Sequence, residues 1–301
     1  MKNKILSFLF AAIAVTSASA AQVVPIVWPF APGSQQANYV RAIAEEANTQ
    51  QTKYTFVFES KPGAGGSIAA RYISNHPGLA IMSSSSSFFV RPEFYPNESH
   101  SVANYKPVLI QCTGQPFSIL GSKYKTLDEV RKQKSISIGI NNGSISEAIA
   151  REFKTHLPNT ELLLVPYPGT LQATIDTLGG NVDLTVDLPA DTLQHIEAGK
   201  LTVVGSTGTI ENKNYPTFSK QGIKGFEGLT VNYHMVVPVT TDPTTTRELH
   251  DILRKASNTS KSLKPMMAAD LCNAVDADFA KTTEIFDSWV KYWPVKLKSL
   301  K

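Results

Sequence analysis

The sequence predicts an α/β protein with two lobes, each built on a central β-sheet flanked by helices. Short apolar runs alternate with helix-like segments almost throughout, which is the order expected of a parallel sheet covered by helices. This alternation occurs in the N-terminal third and again in the middle of the chain. With 301 residues, 42% of them hydrophobic, the chain is long enough to form two lobes with packed cores.

The first array of elements follows directly after the N-terminal segment. Tyr39, Ile43 and Ala47 have the spacing of a buried helical stripe, and Pro29 ends the strand before them. A run of five serines follows the third strand. We predict strands at 23–28, 54–58 and 79–82, and helices at 38–48 and 68–74.

The second array has the same order and leads into a helical C-terminal part. We expect helices from residue 244 onward and a last helix at 278–292 that stops at Pro294, because proline cannot continue the backbone hydrogen bonds of a helix. We predict strands at 136–140, 162–166, 184–187 and 201–205, and helices at 147–156, 170–178 and 190–198.

The first 20 residues have the features of a cleaved signal peptide. Lys2 and Lys4 precede an uncharged apolar run at 5–15, and Ala18 and Ala20 give the small-x-small pattern of a cleavage site. The apolar run is too short to span a bilayer, and the first cysteine is far away, at Cys112. We therefore expect a soluble protein exported to the periplasm, with cleavage near Ala20.

Charge and cysteine content exclude several classes of protein. The formal charge is +4, with 29 basic and 25 acidic residues and no dense basic run, so we expect no nucleic-acid partner. Cys112 and Cys272 either pair in an oxidising compartment or are two buried thiols, and the sequence leaves both open. Neither has a second ligand at metal-site spacing.

The glycine-rich segment at 61–68 matches neither common phosphate-binding motif. We expect no metal and no cofactor.

Loops that follow strands are the candidate ligand-binding segments, because ligands of open α/β sheets bind beyond the carboxyl ends of the strands. The loop at 29–36 contains Phe30, Gly33, Ser34 and Gln35 at the start of a helix, where exposed N–H groups attract anions. Gly33 permits a left-handed backbone there. An ordinary tight turn with a polar helix cap explains the same residues equally well.

Three further segments carry polar groups at strand ends. Asn142, Gly143 and Ser144 form a turn before a helix, and capping is the better explanation of Ser144 taken alone. In the serine run, hydroxyls such as those of Ser84 and Ser85 either face the ligand edge or belong to a solvated loop. Asp187, which ends a strand, either points into a cleft or caps the next helix.

No catalytic constellation is recognisable. The six histidines have no HExxH-like spacing, and no serine lies in a GxSxG elbow. We therefore expect no catalytic residues, and an exported hydrolase is a minor alternative.

Several ordered segments resemble the substrate-binding receptors of tripartite tricarboxylate transporters, the Bug-type receptors. The resemblance covers nearly the whole chain after the signal peptide, and Trp289 in the last helix fits it as well. The segments are Pro29-Phe30 with Pro32-Gly33, Lys61-Pro62-Gly63-Ala64-Gly65-Gly66, Pro107-Val108, Val165-Pro166-Tyr167-Pro168-Gly169, Leu178-Gly179-Gly180-Asn181-Val182-Asp183 and Ala198-Gly199-Lys200-Leu201.

The resemblance implies a type II-like periplasmic binding protein with a Venus-flytrap fold. Lobe 1 would comprise residues 21–121 and 231–301, and lobe 2 residues 122–230. The protein would be a monomer that binds a small organic acid and delivers it to the permease subunits of a membrane transporter. A receptor of the same shape that serves a signalling protein is the alternative.

The resemblance also implies which residues bind the acid. A carboxylate would be held by the first loop and by the loop at 141–144, through N–H groups, hydroxyls and water rather than a buried arginine. The family's Thr-Asp at the end of the first loop is replaced by Gln36-Ala37, which favours a plain organic acid over an amino acid. Phe30 and Tyr167 would shape the pocket; Gly33, Ser34, Gln35, Asn142, Gly143 and Ser144 would bind carboxylate oxygens; Ser84, Ser85 and Asp187 would set specificity.

Overall fold

The computed structural model describes residues 21–34, 36–210 and 212–301. The predicted signal peptide and Gln35 therefore lie outside the described residues. The strands are β1 Gln22–Trp28, β2 Tyr54–Ser60, β3 Ile81–Ser84, β4 Tyr105–Gln115, β5 Ser118–Gly121, β6 Ser135–Asn141, β7 Glu161–Tyr167, β8 Leu184–Asp187, β9 Thr202–Ser206, β10 Val231–Pro238 and β11 Asn273–Ala274. The helices are α1 Ala37–Gln50, α2 Ser67–Asn75, α3 Ser87–Phe94, α4 Leu127–Arg131, α5 Ile145–Thr155, α6 Thr170–Gly179, α7 Pro189–Glu197, α8 Pro243–Thr259, α9 Leu263–Ala269 and α10 Phe279–Lys298.

Two sheets form the centre of the molecule, which confirms the predicted α/β class. The first has the order β11-β4-β10-β3-β1-β2 and the second β7-β6-β8-β5-β9. As the alternation predicts, β1 pairs in parallel with β2 and β3, and β6 pairs in parallel with β7 and β8. Each sheet also contains antiparallel strands that the alternation did not predict, namely β4, β10 and β11 in the first and β5 in the second. The sheets are therefore mixed rather than purely parallel.

The chain passes from the first sheet to the second between Gln115 and Ser118. Pro116 separates β4 from β5, because proline has no N–H to donate to a strand ladder. The predicted boundary at residue 121 places β5 with lobe 1, whereas β5 pairs with β8 and β9 of the second sheet. This pairing favours a boundary at about residue 116, which is a prediction as well. The return crossing precedes β10, and the boundary at 230/231 stays a prediction.

The last helix, α10, is longer than predicted and continues through Pro294 to Lys298. Trp293 and Leu297 on either side of the proline are buried. The ammonium group of Lys296 lies 2.7 Å from the Glu152 carboxylate on α5. Packing and an ion pair therefore hold the final turn in place despite the hydrogen bond that proline removes.

Cys112 and Cys272 form a disulfide bond, the pairing that the sequence left open. The bond joins β4 to the segment between α9 and β11 across 160 residues of sequence. Both cysteines are buried. Across the described residues, no helix is both long and apolar enough to cross a membrane.

Candidate ligand-binding cleft

The first loop is organised by Ser34. Its hydroxyl oxygen accepts hydrogen bonds from the indole Nε1 of Trp28, at 3.2 Å, and from the backbone N–H of Ala37, at 3.3 Å. Ser34 therefore ties the end of β1 to the start of α1. The ring of Phe30 contacts Trp28 edge-to-face, with the ring centroids 5.3 Å apart. The φ of Gly33 lies outside the left-handed region that we expected this glycine to supply.

The serine run is buried, not solvated. Residues 83–87 are at most 4% exposed, because β3 continues to Ser84 and α3 begins at Ser87. The hydroxyl of Ser83 donates to Gln111 Oε1, and that of Ser85 accepts a 3.4 Å bond from the N–H of Ser87. Within the described part of the chain, the hydroxyl of Ser84 has no hydrogen-bond partner. Ser84 thus retains hydrogen-bonding capacity at a strand end, as a ligand-binding group would.

The last two serines connect the two halves of the molecule. Ser86 donates to the carbonyl of Thr230 and accepts from the N–H of Asn232, at the return crossing. The hydroxyl of Ser87 accepts a 3.3 Å hydrogen bond from the N–H of Ile145, the first residue of α5. The start of α3 and the start of α5 therefore meet.

In the middle loop, most of the polar groups already have partners. Ser144 caps α5 by accepting from the N–H of Ser146 at 3.1 Å, as the capping interpretation predicts. The N–H of Gly143 donates to Glu147 Oε2 at 2.7 Å. The side-chain oxygen of Asn142, an exposed residue, accepts a 2.5 Å bond from the hydroxyl of Tyr95. In this conformation an anion would have to compete for these groups.

Arg91 on α3 is a charged residue that the sequence analysis missed. Its side chain is only 6% exposed and pairs with the exposed carboxylate of Glu98 at 3.1 Å. A Cβ at Gly143 would lie 2.3 Å from Arg91 Cδ and 2.5 Å from its Nη1, so the arginine lies directly against the middle loop. Gly65 of the glycine-rich segment also lies against the middle loop, since a Cβ at Gly65 would lie 2.9 Å from the carbonyl oxygen of Gly143. Arg91 is far from both loops in sequence, so no local motif marks it.

Tyr167 and Asp187 both bond to α6. The hydroxyl of Tyr167 donates to Asp176 at 2.6 Å, and burial followed by this bond raises the pKa of Tyr167 to about 12. The Asp187 carboxylate accepts from the hydroxyl of Thr174 at 2.5 Å and from the N–H of Leu188. Asp187 is 1% exposed, and burial raises its pKa. It does not cap α7, whose N-cap is Leu188.

The structure thus brings together the serine run, the glycine-rich segment and the middle loop. Between the described residues of the first loop and those of the middle loop there is no hydrogen bond. The described chain also contains no group of three or more His, Cys, Asp or Glu residues placed to hold a metal ion. The assignment of the predicted residues to a ligand stays a prediction.

Two proteins of known sequence are similar to this chain over most of its length. The Pseudomonas sp. (strain P51) UPF0065 protein in the tcbD-tcbE intergenic region is 26% identical over 222 residues, which cover 68% of this chain and 66% of that protein. The Agrobacterium vitis UPF0065 protein in the TAR-I ttuE-ttuC' intergenic region is 24% identical over 257 residues, covering 77% and 70%. The chain thus spans just under two thirds of the length of the Pseudomonas relative.

Three solved structures have the same fold. The periplasmic binding protein BugD superimposes with a TM-score of 0.80 at 24% identity, over 93% of this chain and 97% of BugD. An R. palustris protein with adipate superimposes with a TM-score of 0.79 at 20% identity, over 93% of this chain and 97% of that protein. MatC from Rhodopseudomonas palustris with bound malate superimposes with a TM-score of 0.74 at 19% identity, over 92% of this chain and 99% of MatC.

The family comparison covers most of the chain and agrees with the fold. The description "Tripartite tricarboxylate transporter family receptor" matches residues 39–290, which include every strand of the two sheets except β1. This confirms the resemblance drawn from the sequence motifs. The chain therefore belongs to the tripartite tricarboxylate transporter receptor family, whose members are periplasmic solute-binding proteins.

Proposed function

We propose that this protein is exported to the periplasm, binds a small organic carboxylate between its two lobes and delivers it to the permease subunits of a tripartite transporter. The first lobe would comprise residues 21–116 and 231–301, and the second the residues between them. Binding would favour the closed arrangement, because a ligand that contacts both lobes stabilises the state in which both contacts are made.

The observation that carries the proposal is the position of Arg91. Its guanidinium is buried against Gly143, next to the N-terminus of α5. A buried arginine and the N-terminus of a helix both contribute positive potential, and a carboxylate is the ligand group that such a site attracts. Arg91 would therefore bind the carboxylate in addition to the backbone N–H groups and hydroxyls that the sequence predicts.

The serine run supplies neutral hydrogen-bond donors beside this charge. Ser84 has no partner for its hydroxyl among the residues described, and Ser87 already reaches across to Ile145. Hydroxyls at this position would bind the carboxylate oxygens that the guanidinium does not reach. Adipate and malate, which accompany two structurally similar proteins, are acids of the class that we expect here.

The first test is a thermal-shift screen of the protein from Ala21 onward against mono-, di- and tricarboxylates, followed by calorimetric titration of each acid that raises the melting temperature. A ligand that binds only the folded state raises that temperature as its concentration increases. Malate, adipate and citrate are the initial probes. We expect a concentration-dependent rise with at least one class of acid, and no rise with any acid would contradict the proposal.

Substitutions at two positions locate the site once an acid is found. Arg91→Leu removes the charge, whereas Arg91→Lys keeps a cation on a side chain of similar length. We expect Arg91→Leu to weaken binding by about a hundredfold and Arg91→Lys by about tenfold. Ser144→Leu, with Ser144→Thr as the control that retains the helix cap, tests the middle loop in the same titration. Equal affinity in all four variants would place the acid elsewhere.

Delivery requires a separate measurement. Cells that lack this receptor but contain the permease subunits should take up the labelled acid only when the full-length chain, including residues 1–20, is restored. Uptake that is independent of the receptor would argue against a transport role, even if binding is confirmed.

A further inference from the structure

Tyr95, directly after α3, contacts both halves of the molecule. It lies between β3 and β4 of the first sheet, whereas Asn142 and Glu147 follow β6 of the second. Its hydroxyl donates to the side-chain oxygen of Asn142 at 2.5 Å and lies 3.1 and 3.2 Å from the two carboxylate oxygens of Glu147. A hydroxyl has a single hydrogen to donate, so these three acceptors share it. Tyr95 is therefore a hydrogen-bond donor from the first half of the molecule to the second.

Glu147, which accepts from Tyr95, is held in place by its own half of the molecule. Its side chain is only 1% exposed. Its Oε2 atom accepts from the N–H of Gly143 at 2.7 Å, and its Oε1 atom accepts from two nitrogens of Arg151 at 2.9 and 2.8 Å. A hydrogen bond to a carboxylate is stronger than one between neutral groups. The bond from Tyr95 therefore contributes measurably to holding the two halves together.

The ring of the same tyrosine contacts Arg91. The guanidinium carbon Cζ lies 4.2 Å from the centroid of the Tyr95 ring, which is within the range of a cation–π interaction. The Arg91 side chain is 6% exposed, and its Nε atom has no hydrogen-bond partner among the residues described. The ring thus supports the guanidinium without occupying this N–H, which remains available to an anion.

Other contacts between the same parts of the molecule do not involve Arg91. The hydroxyl of Ser87 accepts from the N–H of Ile145, as described above. The guanidinium of Arg151 lies 4.6 Å from the ring centroid of Phe94 and donates to the carbonyl of Leu300 at 3.1 Å. Tyr95 differs from these residues because its hydroxyl contacts the second half while its ring contacts the arginine.

We propose that Tyr95 is a positioning residue that couples closure of the two lobes to the orientation of Arg91. The inference rests on the proposed function, because it assigns the residue that links lobe closure to the cation that attracts the carboxylate. In the closed arrangement, the bonds to Asn142 and Glu147 fix the ring, and the ring fixes the guanidinium. Separation of the lobes breaks those bonds and releases the ring. Arg91 is therefore oriented for the acid only in the closed arrangement, which the acid then favours.

The effect of this hydroxyl is independent of the shape of the acid. Its one hydrogen is already shared among oxygens of Asn142 and Glu147, so it has none to donate to a solute. Removing it should change the equilibrium between the open and closed arrangements and leave the contacts with the acid unchanged. Every acid should then lose affinity by the same factor, whereas the loss of a direct contact affects different acids differently.

The test uses two substitutions at Tyr95 and a matched control. Tyr95→Phe removes the hydroxyl and keeps the ring, and Tyr95→Leu removes both. Tyr54→Phe is the control, because the hydroxyl of Tyr54 donates to Glu248 at 2.9 Å and both residues belong to the first sheet and its helices. Each variant, from Ala21 onward, is titrated calorimetrically with malate, adipate and citrate. Its melting temperature and its radius of gyration in small-angle X-ray scattering are measured without acid and with saturating acid.

We expect Tyr95→Phe to weaken the binding of each acid that binds the parent by about fivefold, and by the same factor for all of them. Tyr95→Leu should weaken binding at least about fivefold further, because the guanidinium also loses the ring. Without acid, the radius of gyration of Tyr95→Phe should exceed that of the parent, and saturating acid should remove the difference. Tyr54→Phe should lower the melting temperature but leave affinity and radius of gyration unchanged.

Three results would overturn the inference. If Tyr95→Phe lowers the melting temperature while its affinities remain those of the parent, the contact is permanent and does not report closure. If its affinity losses differ more than about threefold between acids, the hydroxyl contacts the solute directly. If Tyr95→Leu binds as tightly as Tyr95→Phe, the ring does not position Arg91.

Failure of the proposed function is a separate result. If no acid binds the folded parent, carboxylate capture is contradicted, and scattering from the acid-free proteins then decides on Tyr95 alone. A larger radius of gyration for Tyr95→Phe than for Tyr54→Phe would support its role in closure, and equal values would overturn it.

Discussion

At Gly143, a single missing side chain permits a contact between the two halves of the molecule. Its φ of +73° is in the left-handed region, and a Cβ there would overlap Arg91 at 2.3 Å. Both the backbone conformation and the space therefore require glycine. The chain has a natural control in Gly199, which has a φ of +66° and nothing within 4 Å of the Cβ position.

Replacing these two glycines separates backbone strain from steric overlap. We expect Gly199→Ala to cost about 1 kcal/mol, because only the left-handed conformation is penalised. Gly143→Ala should cost about 2–3 kcal/mol more than that, since Arg91 must also move. Urea unfolding of both variants measures the difference. Equal costs would show that the arginine is displaced without strain.

Two buried histidines are held neutral by their surroundings. Burial lowers the pKa of His100 to about 4, although its hydrogen bond to the carbonyl of Phe88 opposes the shift. Burial also lowers the pKa of His234 to about 3, with partial opposition from the backbone of Asn232. Both imidazoles contact the ring of Phe88, at centroid distances of 4.5 and 5.4 Å. An imidazolium in this aromatic cluster would be poorly solvated.

These histidines predict a loss of stability in acid. Their folded pKa values lie below the unfolded value, so the unfolded chain binds more protons as the pH falls below about 6.5. The stability that the neutral form of His100 contributes is present above that pH and is lost between about 6.5 and 4, on the order of 3 kcal/mol in total.

His100→Gln should therefore show a shallower decrease of melting temperature between pH 6.5 and 4 than the parent. The comparison with the parent is needed because Asp191 and Asp270, whose pKa values are raised, change stability in the opposite direction as the pH falls. A slope identical to that of the parent would mean that His100 does not carry the acid sensitivity.

At the scale of elements, α10 links the first sheet to the second lobe. Its residue Tyr292 approaches Gly228, and Lys296 pairs with Glu152 of α5 and donates to the carbonyl of Gly225. The Glu152 side chain is only 10% exposed. The helix thus supplies the cation that compensates a largely buried carboxylate.

Removing that cation should be costly. Lys296→Met leaves the Glu152 carboxylate buried without its main partner, and we expect a loss of about 2–3 kcal/mol. Lys298→Met removes the same charge from an exposed position on the same helix and should cost less than about 0.5 kcal/mol. Glu152→Gln combined with Lys296→Met should recover part of the loss. Similar values for both lysine variants would exclude the ion pair as a source of stability.

Several elements were predictable because their local pattern is strong. The strands rich in Val, Ile and Leu and the helices that follow strand-end turns lie close to their predicted bounds. Helix α3 was missed, because five of its eight residues are Ser, Pro or aromatic and the preceding serines suggested a loop. The predicted end of α10 was also wrong, since the contacts that hold its last turn come from α5 and are not visible in the local sequence.

The site was less predictable than the fold for the same reason. Ser144 was identifiable as a cap from its neighbours, whereas Arg91 acquires its role from Gly65 and Gly143, which lie on other elements. Contacts between distant segments decide which polar residues become binding residues.

At the scale of the whole molecule, the disulfide joins β4 of the first sheet to the segment that follows α9. It closes a loop of 160 residues and holds the turn that carries Asp270 and Leu271. We expect the double variant Cys112→Ser, Cys272→Ser to lose about 3 kcal/mol of stability, because the unfolded chain is no longer constrained by the cross-link. Melting curves with and without reductant measure this loss. Reductant should lower the melting temperature of the parent and leave that of the variant unchanged. An unchanged melting temperature in the parent would contradict the prediction.

The order of strands in the first sheet also has a consequence for biosynthesis. β10 separates β3 from β4, although it is made more than 110 residues after β4 ends. An emerging chain that stops before Val231 has both neighbours of β10 but not the strand that joins them. The N-terminal part of the protein must therefore stay incomplete until more than three quarters of the chain has been synthesised, and a chaperone would have most to protect during that interval.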